Sequence, residues 1–226
     1  MIEAFIFDLD GVITDTAYYH YLSWKKLGHK IGIEIDEEFN ETLKGISRIE
    51  SLEKILIFAN KENQFTQEEK IKLANEKNEY YKLLIKRITP NDILPGIIEL
   101  LEEAKNNKIK IGLASSSKNA TSVLKNLGII EYFDFIADAS KCKNSKPAPD
   151  IFLMAAKGLN VNPNYCIGFE DSISGIDSIN LAMMYSVGIG DINILYKAKY
   201  VVKSTKELDF NLIKYKYNKY QKDYLL

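Results

Sequence analysis

The chain has 226 residues, 46% of them hydrophobic, enough to bury one large domain or one domain with a smaller insert. Its 30 Lys and Arg against 31 Asp and Glu leave a formal net charge of −1, which excludes a nucleic-acid binder working through a long-range basic field. No apolar run approaches bilayer-spanning length, and MIEAFIFDLD lacks the basic start of a signal peptide. Cys142 and Cys166 are too far apart for a metal-type pair, so the expectation is a cytoplasmic protein with reduced thiols and neither nucleic acid nor membrane as partner.

The first element is a strand from Ala4 to Leu9, apolar without alternation, as suits a strand covered on both faces of a parallel α/β sheet. It runs into Asp8 and Asp10, two residues apart and therefore on one face, and breaks at Gly11. From Thr16 to about Ile88 no strand intervenes. TAYYHYLSWKKLG, DEEFNETLK, RIESLEKILIFANK and TQEEKIKLANEKNEYYKLLIKRI carry apolar residues at spacings of three and four, which predicts a small helical bundle with Asp36 and Thr66 as N-caps.

After ITPNDILPG the rhythm changes. GIIELLEEAKNNK, NATSVLKNLG, DIFLMAAKGLN and ISGIDSINLAMM read as helices between the strands IKIGLASSS, FDFIADAS, YCIGFEDS, YSVGIG and AKYVVKS. Helices alternating with strands predict a parallel sheet to which the first strand also belongs. The domain expectation is therefore a core of residues 1–15 and 93–226, interrupted by a helical insert over 16–92, with Pro90 and Pro95 stiffening the second linker. The closing FNLIKYKYNKYQKDYLL reads as a surface helix with a frayed tail rather than a stacking platform for nucleic acid.

In such a sheet ligands bind beyond the carboxyl ends of the strands. Asp8 and Asp10 end the first strand, Ser115, Ser116 and Ser117 the second, Glu170 and Asp171 a later one, and Lys146 lies in the loop SKPAPD. Each has a plain structural reading: solvated acids in a turn, a serine turn, a loop lysine, a helix cap. Together they place four carboxylates around one crevice, which calls for a cation. Mg²⁺ suits hard oxygen ligands and phosphate chemistry. A carboxylate can serve as a nucleophile and another as a proton carrier, while a serine and a lysine donate to a transferring phosphoryl group.

FDLDGVITDT, LASSSKN, SKPAPD and GFEDS resemble, in order, the four signature motifs of the haloacid-dehalogenase-like phosphotransferases, and the helical insert resembles their C1-type cap. The resemblance implies a Rossmann-like core with a parallel sheet flanked by helices, plus the helical cap. It implies Asp8 as the phosphoryl-accepting nucleophile and Asp10 as general acid and base, its backbone carbonyl also touching the metal. Asp8, Glu170 and Asp171 are the implied Mg²⁺ carboxylates. Ser115 and Lys146, with the backbone of Leu9 and Ser116, are implied to bind the transferring phosphate, and Arg48, Ser117 and Asn119, with Lys118 between them, the phosphate that is not reacting. Gly45 and Ser47 are implied to line a sugar pocket with Lys44 beside them. Thr16 and His20 are implied to aim Asp10, with Lys77 a further member of that hinge. Trp24, one turn from His20, is counted with the substrate pocket, against its plainer reading as core of the insert. The second motif departs from the pattern at Ser116, where a small apolar residue is expected.

LKGISR and LASSSKN point, within that family, to its sugar-phosphomutase branch. The implied reaction converts β-D-glucose 1-phosphate to glucose 6-phosphate through an aspartyl phosphate and β-glucose 1,6-bisphosphate, in a monomer. The alternatives are a sugar-phosphate phosphatase on the same fold and a protein that only binds a phosphosugar.

Overall fold

The computed structural model describes residues 1–43 and 45–224. In chain order it contains β1 (Ala4–Phe7), α1 (Ala17–Ile31), α2 (Glu37–Glu41), α3 (Arg48–Phe58), α4 (Gln67–Ile85), α5 (Ile97–Asn106) and β2 (Lys110–Leu113). There follow α6 (Ala120–Asn126), β3 (Phe135–Ile136), α7 (Asp150–Leu159), β4 (Cys166–Glu170), α8 (Ile173–Leu181), β5 (Tyr185–Ile189), β6 (Tyr200–Val202) and α9 (Phe210–Tyr224). The six strands form one sheet in the order β3-β2-β1-β4-β5-β6, and every pairing is parallel. β1 therefore lies in the middle, with Ala4 opposite Lys110 on one side and Cys166 on the other.

Alternation along β1 divides the core. Phe5 and Phe7 point to the face covered by α5, α6 and α9, while Ala4 and Ile6 point to the face covered by α7 and α8. Both faces are buried, which is why β1 reads as an unbroken apolar run. Phe7 stacks on Phe169 of β4 at 4.5 Å between ring centres. Truncating either ring would cost about 3–5 kcal/mol in transfer and cavity terms.

The helices α1–α4 enclose a separate cluster built on Trp24, Leu27, Leu52, Ile55, Leu56 and Ala74. Their starts are locally encoded. The Asp36 side chain accepts from the Phe39 N–H, and Ser47 and Thr66 form reciprocal capping boxes with Glu50 and Glu69.

Three expectations are corrected. The first strand ends at Phe7 rather than Leu9: after a last bond from the Asp8 N–H to the Phe169 carbonyl the chain turns, and the Leu9 carbonyl accepts from the N–H groups of Ile13 and Thr14. The strand expected over FDFIADAS is only Phe135–Ile136, since Asp138 folds back to cap the following turn. The C-terminal helix is more than surface decoration. Ile213 and Tyr217 are fully buried, and the Tyr217 hydroxyl donates to the Asn164 carbonyl at 3.1 Å. Residues 225 and 226, the end of the expected frayed tail, lie outside the described residues. No described helix is long and apolar enough to cross a membrane.

Candidate active site

A cavity of about 480 Å³ lies between the carboxyl ends of β1, β2 and β4 and the helices α1, α3 and α4. At its floor Asp8 follows β1. The Lys146 ammonium, fully buried, donates to Asp8 Oδ1 at 2.6 Å and to Glu170 Oε2 at 2.7 Å. The other oxygen of Glu170 accepts from the Ser172 N–H at 3.2 Å and hydroxyl at 2.8 Å. Glu170 ends β4 and Lys146 precedes α7, so two strand ends and one loop converge on one point.

Burial pushes the Asp8 carboxyl up to about 7 despite the neighbouring Lys146 charge. Burial also opposes the charge on Lys146, but the Asp8 and Glu170 carboxylates outweigh it and hold the ammonium above the usual lysine range. Asp8, Glu170 and Asp171 each offer an oxygen within 4.8 Å of the others. Three carboxylates against one ammonium leave a formal excess of two negative charges, which a divalent cation with oxygen preference matches. Gly11, at φ +74°, lets Asp171 come in: a Cβ there would overlap the Asp171 carboxylate.

The Asp10 carboxylate is not part of that cluster. It is held by the Thr16 hydroxyl, which in turn accepts from the Tyr81 hydroxyl at 3.1 Å. Burial raises the Asp10 carboxyl to about 6, against the pull of Thr16. His20 stands beside it, Nε2 3.8 Å from Asp10 Oδ2 and Nδ1 2.8 Å from the Lys77 ammonium. Burial, then the charges of Lys77 and Arg48, lower the His20 pKa well below its usual value. Lys77 is lowered too, by burial and then by Arg48, and its Nζ lies 4.6 Å from the Trp24 ring centre. Trp24 is 2% exposed and belongs to the core of the insert, with one edge on the cavity.

The serine motif after β2 forms the opposite wall. Ser115 is buried and accepts from the Ser117 N–H at 3.1 Å, and Ser117 accepts from the Asn119 N–H at 3.3 Å. The Ser116 hydroxyl donates to the Gly45 carbonyl at 2.9 Å, tying the core to the helical insert. Arg48, at the start of α3, reaches the same cavity as Ser117, Lys118 and Asn119, and Lys118 is exposed at its rim. The Ser47 hydroxyl, expected to face a sugar, is engaged as the α3 cap. The Leu9 side chain is fully buried in the core, so only its backbone is available to a ligand. Lys44 lies outside the described residues.

The sequence reading named Lys77 but passed over Asn78 and Tyr81, its neighbours on the buried side of α4. Two polar side chains on a helix face that packs inward carried the signal, but a helix this rich in charge offers no way to tell that face from the sequence.

A haloacid dehalogenase-like hydrolase family model matches residues 2–182. The chain is 48% identical to a β-phosphoglucomutase of Bacillus subtilis over 219 residues, 97% of each chain. It is 31% identical to a phosphorylated carbohydrates phosphatase of Thermotoga maritima over 94% of this chain and 98% of that one. A crystal structure of β-phosphoglucomutase from Clostridium difficile superposes with a TM-score of 0.96 at 65% identity, covering 97% of this chain and 99% of the other. With the model match spanning most of its length, the chain belongs to the haloacid dehalogenase-like hydrolase family.

Proposed function

We infer that the protein is a β-phosphoglucomutase, interconverting β-D-glucose 1-phosphate and D-glucose 6-phosphate. One observation carries this reading most. Asp8 and Lys146 of the buried charge cluster and a guanidinium on the helical insert, Arg48, line one cavity. A phosphatase needs one phosphate grip, whereas a mutase must hold a sugar phosphate by either end. The near full-length similarity to two β-phosphoglucomutases supports the same reading.

In the proposed cycle Asp8 carries the phosphoryl group as an aspartyl phosphate. The 6-hydroxyl of β-glucose 1-phosphate attacks that phosphorus, its proton passes to Asp10, and the Asp8–phosphoryl bond breaks to give β-glucose 1,6-bisphosphate. After the bisphosphate turns over, an Asp8 oxygen attacks the phosphorus on C1. The bond from phosphorus to the C1 oxygen breaks and Asp10 returns the proton to that oxygen, releasing glucose 6-phosphate. Ser115 and Lys146 donate to the phosphoryl oxygens, on which charge develops. Arg48, Ser117 and Asn119 hold the idle phosphate, a task suited to a forked guanidinium. Thr16 and His20 orient Asp10. A Mg²⁺ held by Asp8, Glu170 and Asp171 supplies the charge compensation that brings a carboxylate and a phosphate together. Residues 16–92 act as a cap that excludes water, and the enzyme works as a cytoplasmic monomer.

The test is a coupled assay with β-glucose 1-phosphate, Mg²⁺ and a trace of bisphosphate, following glucose 6-phosphate and free phosphate together. Glucose 6-phosphate rising with little free phosphate is the expected result. Free phosphate as the main product moves the function to a phosphatase with the same Asp8 chemistry.

A further inference from the structure

On the inward side of helix α4 three polar side chains make buried contacts, and two of them act near Asp10: Lys77 reaches His20, and Tyr81 reaches Thr16. The third, Asn78, points elsewhere. Its Oδ1 accepts from Asn119 Nδ2 at 2.8 Å, in a bond buried on both sides and joining residues 41 positions apart, one on the helical insert and the other just after the serine motif.

An asparagine amide has two unlike ends. Only the NH₂ end attracts an anion, and turning the group over would present its carbonyl oxygen instead. The bond that Asn119 makes on its own loop uses its backbone N–H, to Ser117 at 3.3 Å, and leaves the side-chain amide out. In this structure Asn78 presents its Oδ1 across the cleft, and the nitrogen of Asn119 faces it. One of the two amide hydrogens is used, and the other remains for a ligand in the cavity that both residues line. The bond spans the insert and the core, so it exists only while the insert rests on the core.

We propose that Asn78 is a positioning residue for substrate recognition: by accepting from Asn119 across the cleft it sets the Asn119 amide with an N–H toward the idle phosphate of the sugar phosphate, and does so only in the closed protein. This rests on the assignment of Arg48, Ser117 and Asn119 to that phosphate. It makes the grip complete only upon closure, so an anion bound at the open core is held less firmly than one enclosed by the insert.

The experiment is calorimetric binding of glucose 6-phosphate with Mg²⁺ to the full-length protein, all variants being made on Asp10→Asn so that no turnover occurs. Asn78→Ala and Asn78→Leu, the latter keeping the branched heavy-atom shape, are expected to weaken binding about tenfold, the scale of one hydrogen bond to a charged group. Asn119→Ala should weaken it to a similar extent, and the double variant Asn78→Ala/Asn119→Ala no more than Asn119→Ala alone, because Asn78 acts through Asn119. Losses that multiply in the double variant overturn the proposal, as does unchanged affinity in Asn78→Leu. Unchanged affinity in Asn119→Ala overturns both the proposal and the phosphate assignment beneath it. Should the Asn78 variants fail to fold, the side-chain amide resonances of Asn119 in the parent protein decide: they shift on adding glucose 6-phosphate if that N–H meets the phosphate, and stay if it does not. A parent enzyme that releases free phosphate while the binding pattern holds removes the mutase reading and leaves this one standing.

Discussion

Lys146 and Asp8 are 138 positions apart in the chain and 2.6 Å apart in space, with the lysine side chain fully shielded from solvent. Their meeting point is where the loop before α7 and the end of β1 reach the same edge of the sheet. The geometry gives Lys146 two jobs. It neutralises carboxylates that burial would otherwise protonate, and it holds a donor where phosphoryl oxygens would lie.

Lys146→Met separates these two jobs. Asp8 and Glu170 would face one another with no buried cation between them. Removing one partner of a buried ion pair costs on the order of 3 kcal/mol, so thermal unfolding should show clear destabilisation without metal. Added Mg²⁺ should restore part of that loss, because it binds the same carboxylates in the folded state only. Turnover should remain down by about a thousandfold even at saturating Mg²⁺, the scale expected when a donor to a developing oxyanion is removed. Full recovery of activity with metal would limit Lys146 to a structural charge.

Ser116→Ala tests the position where the motif departs from its family pattern. The hydroxyl donates to the Gly45 carbonyl, one of the ties between the core and the insert. A neutral hydrogen bond is worth about 1 kcal/mol net, so the closed-to-open ratio should fall roughly fivefold. The expected outcome is a KM for β-glucose 1-phosphate raised by up to about that factor and a larger share of free phosphate among the products, because water gains access to the proposed aspartyl phosphate. The product ratio of the two enzymes, measured in the same coupled assay, decides it.

Gly11→Ala addresses metal affinity without touching a ligand. The added methyl would occupy the place of the Asp171 carboxylate, in a backbone conformation of φ +74° that disfavours any side chain. Displacing a ligand through its neighbour typically costs about tenfold to a hundredfold in metal affinity. A Mg²⁺ titration of turnover should therefore shift to higher concentration by at least about tenfold, with activity returning at high Mg²⁺. An unshifted titration would mean that Asp171 lies outside the metal site.

The centre of the parallel core was legible because β1, β2 and β4 are short apolar runs followed by chemistry-bearing residues, and because burial on both faces leaves little alternation to misread. The caps at Asp36 and Thr66 were legible for a local reason: the acceptor and its donor are three residues apart. The pairing of Asn78 with Asn119 and of Ser116 with Gly45 could not be read this way. Both bonds join segments that meet only after the insert has folded and settled on the core, so no spacing along the chain encodes them. The inward stripe of α9 was hidden for another reason. Lys214, Lys216, Lys219 and Lys222 are interleaved with its buried Ile213 and Tyr217, so that the exposed face dominates the composition.

The two thiols should differ in reactivity, and pH should reveal it. Cys142 is half-buried on the cavity wall, and burial, helped by Asp150 and Asp138, raises its pKa. Cys166 is wholly enclosed in β4, donates weakly to the Asn162 carbonyl at 3.4 Å and is pushed by burial up to about 12. The thiolate is the reacting form, so at pH 7.5 iodoacetamide should label Cys142 more slowly than free cysteine, the rate rising with pH, and Cys166 only in denaturant. Glucose 6-phosphate should slow Cys142 further by filling the cavity. The same shift bears on stability. Unfolded, Cys166 ionises near its usual 9.0, while folded it keeps its proton to about 12. Its contribution is therefore complete below pH 9 and is lost as pH rises toward 12, at no more than about 1.4 kcal/mol per pH unit. Tyr185 and Tyr217, likewise raised to about 12 by burial, act in the same direction. Cys166→Ala should flatten the alkaline limb of a stability-against-pH curve without removing it, and an unchanged slope would mean that the Cys166 thiol ionises as readily in the folded protein as in the unfolded chain.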